Sequence, residues 1–414
     1  MRHQSTRLRK SMPRPLRRGL LRTAAAAAVL PVVAFAAAAP AHAQDDAPYD
    51  DPAAAAASWL AAQSSGDHFE FNGAPNVSAT LDSLIGLMAA GVGGDQVQAS
   101  LEWINDPDTL GSYVYPAEGE DAPIALGSAG KVMYVVATAG GDPTDFGGVK
   151  LADEVAEASV EGLDGGSLSW AALGLSRTED GVSEAVTAAL LAAQCDDGGF
   201  SYAVPESGSC TGDPDTTGTA VSALTAIGED GADAREGALG WLKDHQGEDG
   251  SFDGGFGANA NSTALAAQAL LTSEGATEAA EAAVAYLIGL QIGCGEDGAG
   301  AIRFSDPEDP ETGEASRLLA TAQALVPLSG QSLAELDASD LAADVPAADC
   351  ESADNGAASD EAGEEADDDG NAWVPWVIVG AAVVLVAVVA FLVVRGRRGA
   401  AAARDESAEG KGGE

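Results

Sequence analysis

The sequence predicts an all-α protein: an α6/α6 toroid, a double ring of about six helix pairs, followed by one C-terminal transmembrane helix. Three features predict it. They are an internal repeat, an apolar stripe of helical period after each repeat turn, and a long uncharged run near the C-terminus.

The chain opens on Arg2, Arg7, Arg9, Lys10, Arg14, Arg17, Arg18 and Arg22 ahead of an apolar run from Ala24 to Ala39. That is a secretory signal with a basic head, and Ala41-His42-Ala43 follows at signal-peptidase spacing. Residues 1–43 are therefore expected to be removed, leaving 44–50 as a short mature N-terminal segment. Arg17-Arg18-Gly19-Leu20-Leu21 also resembles a twin-arginine signal, but ordinary Sec export is the expectation.

The folded part is expected over 51–330. Leu191-Ala-Ala-Gln194-Cys-Asp-Asp-Gly198-Gly-Phe200 recurs as Leu242-Lys-Asp-His-Gln246-Gly-Glu-Asp-Gly250-Ser-Phe252. A third copy, with an insertion, starts at Leu290-Gln291 and leads to Phe304. The pattern is a helix end, Gln, an acidic turn, Gly and an aromatic. Short polar residues then open a second helix: Asp215-Thr216-Thr217, Asn259-Ala260-Asn261-Ser262-Thr263 and Glu311-Thr312-Gly313-Glu314. Such side chains accept from the free amides of a first turn. The stripes that follow are Ala220, Leu224 and Ile227, then Leu265, Ala269 and Leu270, then Leu318, Ala322 and Leu325.

Earlier units are more worn. Trp59-Leu60 through Gln63 precede Phe69, and Trp103-Ile104-Asn105 precede Tyr113, with Asn76-Val77-Ser78 and Gly127-Ser128 opening the second helices. A further unit runs from Val149 through Ser169-Trp170 to about Arg177. One such pair cannot bury its apolar face alone, whereas about six can close on themselves and remove both solenoid ends. An open superhelix is the alternative.

From 331 to 371 the composition shifts to Ala, Asp, Glu and Ser without an aromatic residue. Such a tract has too little apolar surface to offset its ordering entropy and is expected to be a disordered acidic stalk. The segment 372–394 is expected to span the membrane. Trp373 to Val394 holds no charged residue over 22 positions, about 33 Å of helix. Arg395, Arg397 and Arg398 then hold 395–414 in the cytoplasm, and Trp373 and Trp376 suit the outer interface. The expected topology is single-pass, with the N-terminal domain outside the cell.

Charge follows compartment. Of 20 basic residues eight lie in the leader and five in the tail, leaving seven outside; of 65 acidic residues only four lie in the tail, leaving 61. A balance of about −54 repels phosphate backbones, so nucleic acid is excluded as a partner. The four cysteines suit an oxidising exterior. Sequential pairing, Cys195 with Cys210 and Cys294 with Cys350, is the simplest of three connectivities. A zinc site is poorly supported, because no C-x-x-C occurs and only His68 and His245 remain in the mature chain.

Gln, three residues, Gly, one residue and an aromatic, as in Gln194 to Phe200 and Gln246 to Phe252, resembles the QW motif of squalene-hopene cyclases and related terpenoid cyclases, with Phe in place of Trp. The resemblance covers roughly 51–330. It implies the α/α toroid shared with protein prenyltransferase β subunits and with the cobalamin carriers, intrinsic factor and transcobalamin. It specifies architecture far better than function, since one toroid hosts catalysts and binders alike.

As a cyclase the chain falls short. Asp213-Pro214-Asp215-Thr216-Thr217 stands where the resemblance places a D-x-D-D acid, with Asp215 as the weak catalytic candidate, yet Thr216 replaces the last Asp. A helix N-cap is the expected role of Asp215 and Thr216. The aromatics that would stabilise a carbocation are few, mainly Tyr134 and Trp170. The zinc ligands of a prenyltransferase are absent. Asn76 and Asn261 match glycosylation acceptors but are expected to cap helices, and Asp196, Asp197, Asp249 and Asp253 read as solvated turns rather than a calcium loop.

The expectation is therefore a tethered extracellular binding protein for a small-molecule ligand. Cobalamin is the most concrete ligand the resemblance implies. The carriers' second, β-rich domain has no counterpart here, so a separate membrane or surface protein would supply it. A degenerate terpene cyclase or prenyltransferase-like enzyme and a structural surface protein are the alternatives. In a toroid the inner helices start at one mouth of the barrel. The expected ligand contacts there are Ser128, Lys131, Tyr134, Ser169, Trp170, Tyr202, Asp215, Thr216, Phe256, Asn259, Asn261 and Arg317.

Overall fold

A computed structural model describes residues 47–117, 122–203, 210–309 and 312–348. The expected signal segment and membrane helix, most of the expected stalk, and Cys350 lie outside the described residues. Among those described, no helix is long and apolar enough to cross a membrane.

Six helices form an inner ring: α2 (Val77–Ala89), α5 (Leu126–Thr138), α7 (Gly165–Leu175), α9 (Pro214–Ile227), α11 (Ala260–Leu270) and α13 (Gly313–Leu328). Each packs on the next, and α13 packs back on α2, so the ring is closed. Outside it lie α1 (Pro52–Ala62), the pair α3 (Gly94–Ile104) and α4 (Pro107–Val114), then α6 (Leu151–Glu157), α8 (Glu184–Ala192), α10 (Ala232–His245) and α12 (Thr277–Gly289). Two short hairpins, β1 (Glu70–Phe71) with β2 (Ala74–Pro75) and β3 (Phe252–Asp253) with β4 (Ala258–Asn259), lead into α2 and α11.

Local sequence sets the helix starts. Asp51, Asp106 and Asp213 cap helices whose first residue is Pro, whose missing N–H leaves no orphan donor there. Asn76, Asp164, Ser183 and Asn259 cap α2, α7, α8 and α11. Inner helices are covered on nearly every side, as α9 shows from Thr216 to Leu224. Outer helices bury one stripe, such as Ala280, Ala283 and Leu287 of α12. Neighbouring inner helices meet backbone to backbone: a Cβ on Gly130 would lie 2.3 Å from the Trp170 carbonyl oxygen, and one on Gly218 2.2 Å from that of Leu265.

The repeat glutamines are clamps. Gln194 Nε2 donates to Gly198 O within its own turn and to Ala234 O at the start of the next outer helix, both at 2.8 Å. Gln246 does the same with Gly250 O and Ala279 O. Gln291 bonds Gly300 O and, at 2.8 Å, Pro52 O of α1, so the last repeat is joined to the first by the bond that joins the others. A threonine of the inner helix then receives the N–H at the aromatic position, Thr80 from Phe69, Thr217 from Phe200, Thr263 from Phe252 and Thr321 from Ile302.

Four expectations change. Ile302, not Phe304, fills the third repeat's aromatic position, since an aliphatic side chain fills the same buried site. The helix expected to open on Gly127-Ser128 starts at Leu126 with no side-chain cap. Gln63 and Asn105 make no clamp: Gln63 bonds Trp59 O in its own helix, and Asn105 braces the N–H of Gly147. Residues 331–348, expected to begin the stalk, form a strap on the fold, with Leu333, Leu336 and Ala338 buried. Main-chain bonds from Ala338 to Thr138 and from Ala342 to Gly91 hold it, an anchorage that composition alone does not reveal. Cys195 and Cys210 are disulfide-bonded, with Cα atoms 5.1 Å apart. Cys294 is not free, and its expected partner Cys350 lies outside the described residues.

Candidate functional site

Because the inner helices run parallel, their N-termini surround one mouth of the barrel. Asp82, Lys131, Trp170, Thr219 and Leu265 each stand five residues after the first residue of their helix. They form one layer about 7.5 Å below the mouth. With Gln323 and Ala322 of α13 they wall a cavity of about 100 Å³, whose floor includes Leu333 of the strap.

The layer is polar. Lys131 Nζ donates to Asp82 Oδ1 at 2.7 Å and lies 5.2 Å from the centre of the Trp170 ring. Burial works against the Lys131 charge, but the Asp82 carboxylate outweighs it and holds the ammonium above its ordinary range. Lys131 has two further N–H groups, and among the described residues neither Asp82 Oδ2 nor the Gln323 amide nitrogen has a hydrogen-bond partner. Gln323 Oε1 accepts from Asn261 at 2.7 Å.

Below this layer the far end is sealed. The Tyr134 hydroxyl donates to Leu333 O at 2.8 Å, and the Arg177 guanidinium lies over the Tyr134 ring and reaches the same oxygen. Gln268 Oε1 accepts from Leu333 N at 3.0 Å and from Ser222 Oγ at 2.8 Å, while its amide donates to Gly218 O and Leu265 O. Burial pushes the Tyr134 hydroxyl well above the usual tyrosine range, with Arg177 partly opposing.

At the mouth, Asp213 caps α9, accepting from Thr216 N and Tyr202 N. Asp215 is therefore not the cap. Its carboxyl is half-buried beside α11 and its Oδ1 has no partner. Desolvation raises its pKa, Asp213 adds to this by repulsion, and Ser262 partly offsets it. Tyr202 and Phe256, on the loops entering α9 and α11, are 73% and 86% exposed. Phe71, at the hairpin entering α2, is also exposed, so three of the four large exposed apolar side chains among the described residues rim this mouth.

The expected contacts thus divide. Lys131 and Trp170 face the lumen, Asp215 and Asn261 stand at its entrance, and Tyr202 and Phe256 form the rim. Tyr134 is fully buried under the strap. The Asn259 side chain caps α11, the Thr216 backbone N–H is taken by the Asp213 cap with its residue buried, and Arg317 is paired with Glu308 at 2.5 Å. Ser169 bonds Gly165 O within its helix. Asp82, Thr219, Gln268 and Gln323 escaped sequence reasoning; aligning the inner helices on their first residues would have brought out Asp82 and Thr219, which share the place five residues in, but not Gln268 and Gln323, which stand eight and ten residues in. Among the described residues no cluster of His, Cys, Asp and Glu could hold a metal ion.

The closed ring of six helix pairs makes this chain an α6/α6 toroid, the terpenoid-cyclase type of architecture that its repeat motif resembles. No protein-family model and no curated protein matches the chain. Among solved structures it is similar to a glycosidase in complex with glucose (14% identity, TM-score 0.48, covering 70% of this chain and 99% of the other). It is also similar to a wild-type glycosidase (14%, 0.47, covering 70% and 97%) and to the apo form of type II terpene cyclase MstE from Scytonema (13%, 0.45, covering 67% and 96%). The ring assignment rests on the helix packing described above.

Proposed function

We propose that the protein is a membrane-tethered extracellular binding protein that captures a polar small molecule at the mouth of its toroid. The observation that carries this is the lumen layer itself: polar groups with open hydrogen-bonding capacity, in a walled cavity, beneath a rim of exposed aromatics. Trp170 is the one aromatic lining that cavity, too few for a travelling carbocation. A lumen of about 100 Å³ also lies below the roughly 300–1,000 Å³ of ordinary ligand pockets, so a large ligand must sit partly across the rim. Cobalamin, the ligand suggested by the toroid carriers, would have to lie there, under a separate partner chain. Incubating the full-length protein with a vitamin and lipid panel and reading bound mass by native mass spectrometry tests the proposal. Specific capture supports it; an empty protein across the panel, with no other ligand carried from the cells, argues for a scaffold.

A second reading is favoured by Asp215, whose unpartnered Oδ1 and raised pKa are what a general acid needs. Such an acid would protonate an alkene or a leaving group at the mouth. A cyclised or hydrolysed product that disappears with Asp215→Asn would establish the enzyme and displace the binder.

A further inference from the structure

We infer that the lumen layer of Asp82, Lys131, Trp170 and Gln323 is a recognition pocket for an uncharged, polyhydroxylated ring. The inference rests on the binding function proposed above and specifies its ligand.

Charge is the first constraint. Lys131 and Asp82 are paired at 2.7 Å with side chains only 9% and 13% exposed, so the pocket is electrically balanced before any ligand enters. A singly charged ligand would bring an uncompensated charge beside side chains that are largely shielded from solvent, which is costly. A neutral ligand brings none.

Hydrogen bonding is the second. The open groups are of both kinds: ammonium hydrogens on Lys131 and amide hydrogens on Gln323 donate, while Asp82 Oδ2 accepts. Asp82 and Lys131 are adjacent, so donor and acceptor stand side by side. Neighbouring hydroxyls satisfy such a pair, because each hydroxyl both donates and accepts. A hydrocarbon would leave all three groups unpaired.

Shape is the third. Trp170 and Leu265 both line the cavity; Lys131 Nζ lies over the indole and Tyr134 packs against it edge-on, so what the indole leaves to the lumen supplies the apolar contact that a saturated ring's C–H groups take. The cavity has room for about three waters, so only one edge of such a ring enters, and the rest projects toward Tyr202 and Phe256 at the mouth. The ligand is therefore either a free sugar or the terminal residue of a glycan.

Saturation-transfer NMR on the full-length protein in detergent tests this. The probes are mannose and N-acetylglucosamine as free sugars, chitotriose as a glycan end, and zwitterionic glycine, cationic choline and anionic citrate as controls. The expected result is transfer to one of the sugars and none to the controls. Trp170→Leu and Gln323→Leu should each weaken binding at least tenfold, with the melting temperature kept near the parent's. Tighter binding of chitotriose than of N-acetylglucosamine would identify a glycan end; equal binding would identify the free sugar. No transfer to any sugar overturns the inference, and so does sugar binding that survives both substitutions. If choline, glycine or citrate binds instead, the ligand class is wrong while the binding function stands.

Discussion

The two ends of the barrel are built from the same six helices and differ in how their polar groups are used. At the far end Tyr134, Arg177, Ser222 and Gln268 are all bonded, and the strap supplies both an acceptor and a donor through Leu333. At the mouth Asp215 Oδ1, Asp82 Oδ2 and the Gln323 amide have no partner among the described residues, and Tyr202 and Phe256 stand in solvent. Open polar groups are not confined to the mouth, since Ser329 and Ser332 at the far end keep buried hydroxyls without a partner; what sets the mouth apart is that Asp82 Oδ2 and the Gln323 amide face a cavity in which another molecule can complete them. The ends therefore differ in whether their open groups line a cavity, not in whether any group is left open.

The sharpest way to break that contrast is at the Asp82–Lys131 pair. Asp82→Asn leaves the Lys131 ammonium in the lumen without its counter-charge and should cost about 3 kcal/mol, the lower end for a broken buried pair because both side chains keep some exposure to the lumen. Replacing both, as Asp82→Leu with Lys131→Met, should restore most of that loss while abolishing capture. Denaturant melts of the three variants check this. A raised lysine pKa gives stability that is complete below the unfolded value and lost as pH rises through the folded one. The parent should therefore lose this contribution only in alkali, above about pH 10.

The sealed end is probed next. Leu336 is 1% exposed on the strap, and Leu336→Ala should cost about 2–3 kcal/mol if the strap belongs to the fold. Hydrogen exchange should show faster exchange at Ala338 and Leu333, whose amides bond Thr138 and Gln268, with the mouth loops unaffected. A loss below 0.5 kcal/mol would return the strap to the stalk.

The ring was legible because its repeat is local: Gln194, Gln246 and Gln291 each clamp a turn a few residues away, so spacing in the chain records contact in space. The disulfide between Cys195 and Cys210 was legible for the same reason. The strap was not, because Leu333 and Leu336 gain burial from helices 65 to nearly 200 residues earlier in the chain, and composition of the tract carries no trace of them. The lumen layer was half legible. Lys131 and Trp170 carry chemistry in their side chains and drew notice, whereas Asp82 and Gln323 are ordinary residues until the ring brings them together. Asp215 misled in a different way: two carboxylates flank Pro214, and only the backbone shows that Asp213 takes the cap.

That reassignment changes the sign of an expected mutation. A cap would make Asp215→Asn destabilising, but a carboxyl whose folded pKa is raised opposes folding when ionised. The native state binds the proton more tightly than the unfolded state, so stability falls as pH rises through the interval between the two pKa values. Asp215→Asn should accordingly raise the melting temperature at pH 7 by roughly one or two degrees. The gain should shrink as pH falls below the raised pKa, where the parent is protonated too. Parallel thermal melts from pH 3 to pH 8 test it, and a variant less stable than the parent at pH 7 would return Asp215 to a structural role.

The smallest effect on stability should come from the rim. Tyr202 and Phe256 are 73% and 86% exposed, so Tyr202→Ser and Phe256→Ser remove little buried area and should change folding free energy by no more than about 0.5 kcal/mol. Exposed aromatics gathered at one opening contribute nothing to the closed end and have no structural reason to be apolar. If they extend the lumen site outward, the double variant should lose capture of a ligand that reaches beyond the cavity while keeping whatever affinity the Lys131 layer supplies by itself. Titrating long and short ligands against the same variant separates the two contributions. Equal losses for both would place the rim's action inside the lumen, and a melting temperature lowered by several degrees would show that these rings brace the loops.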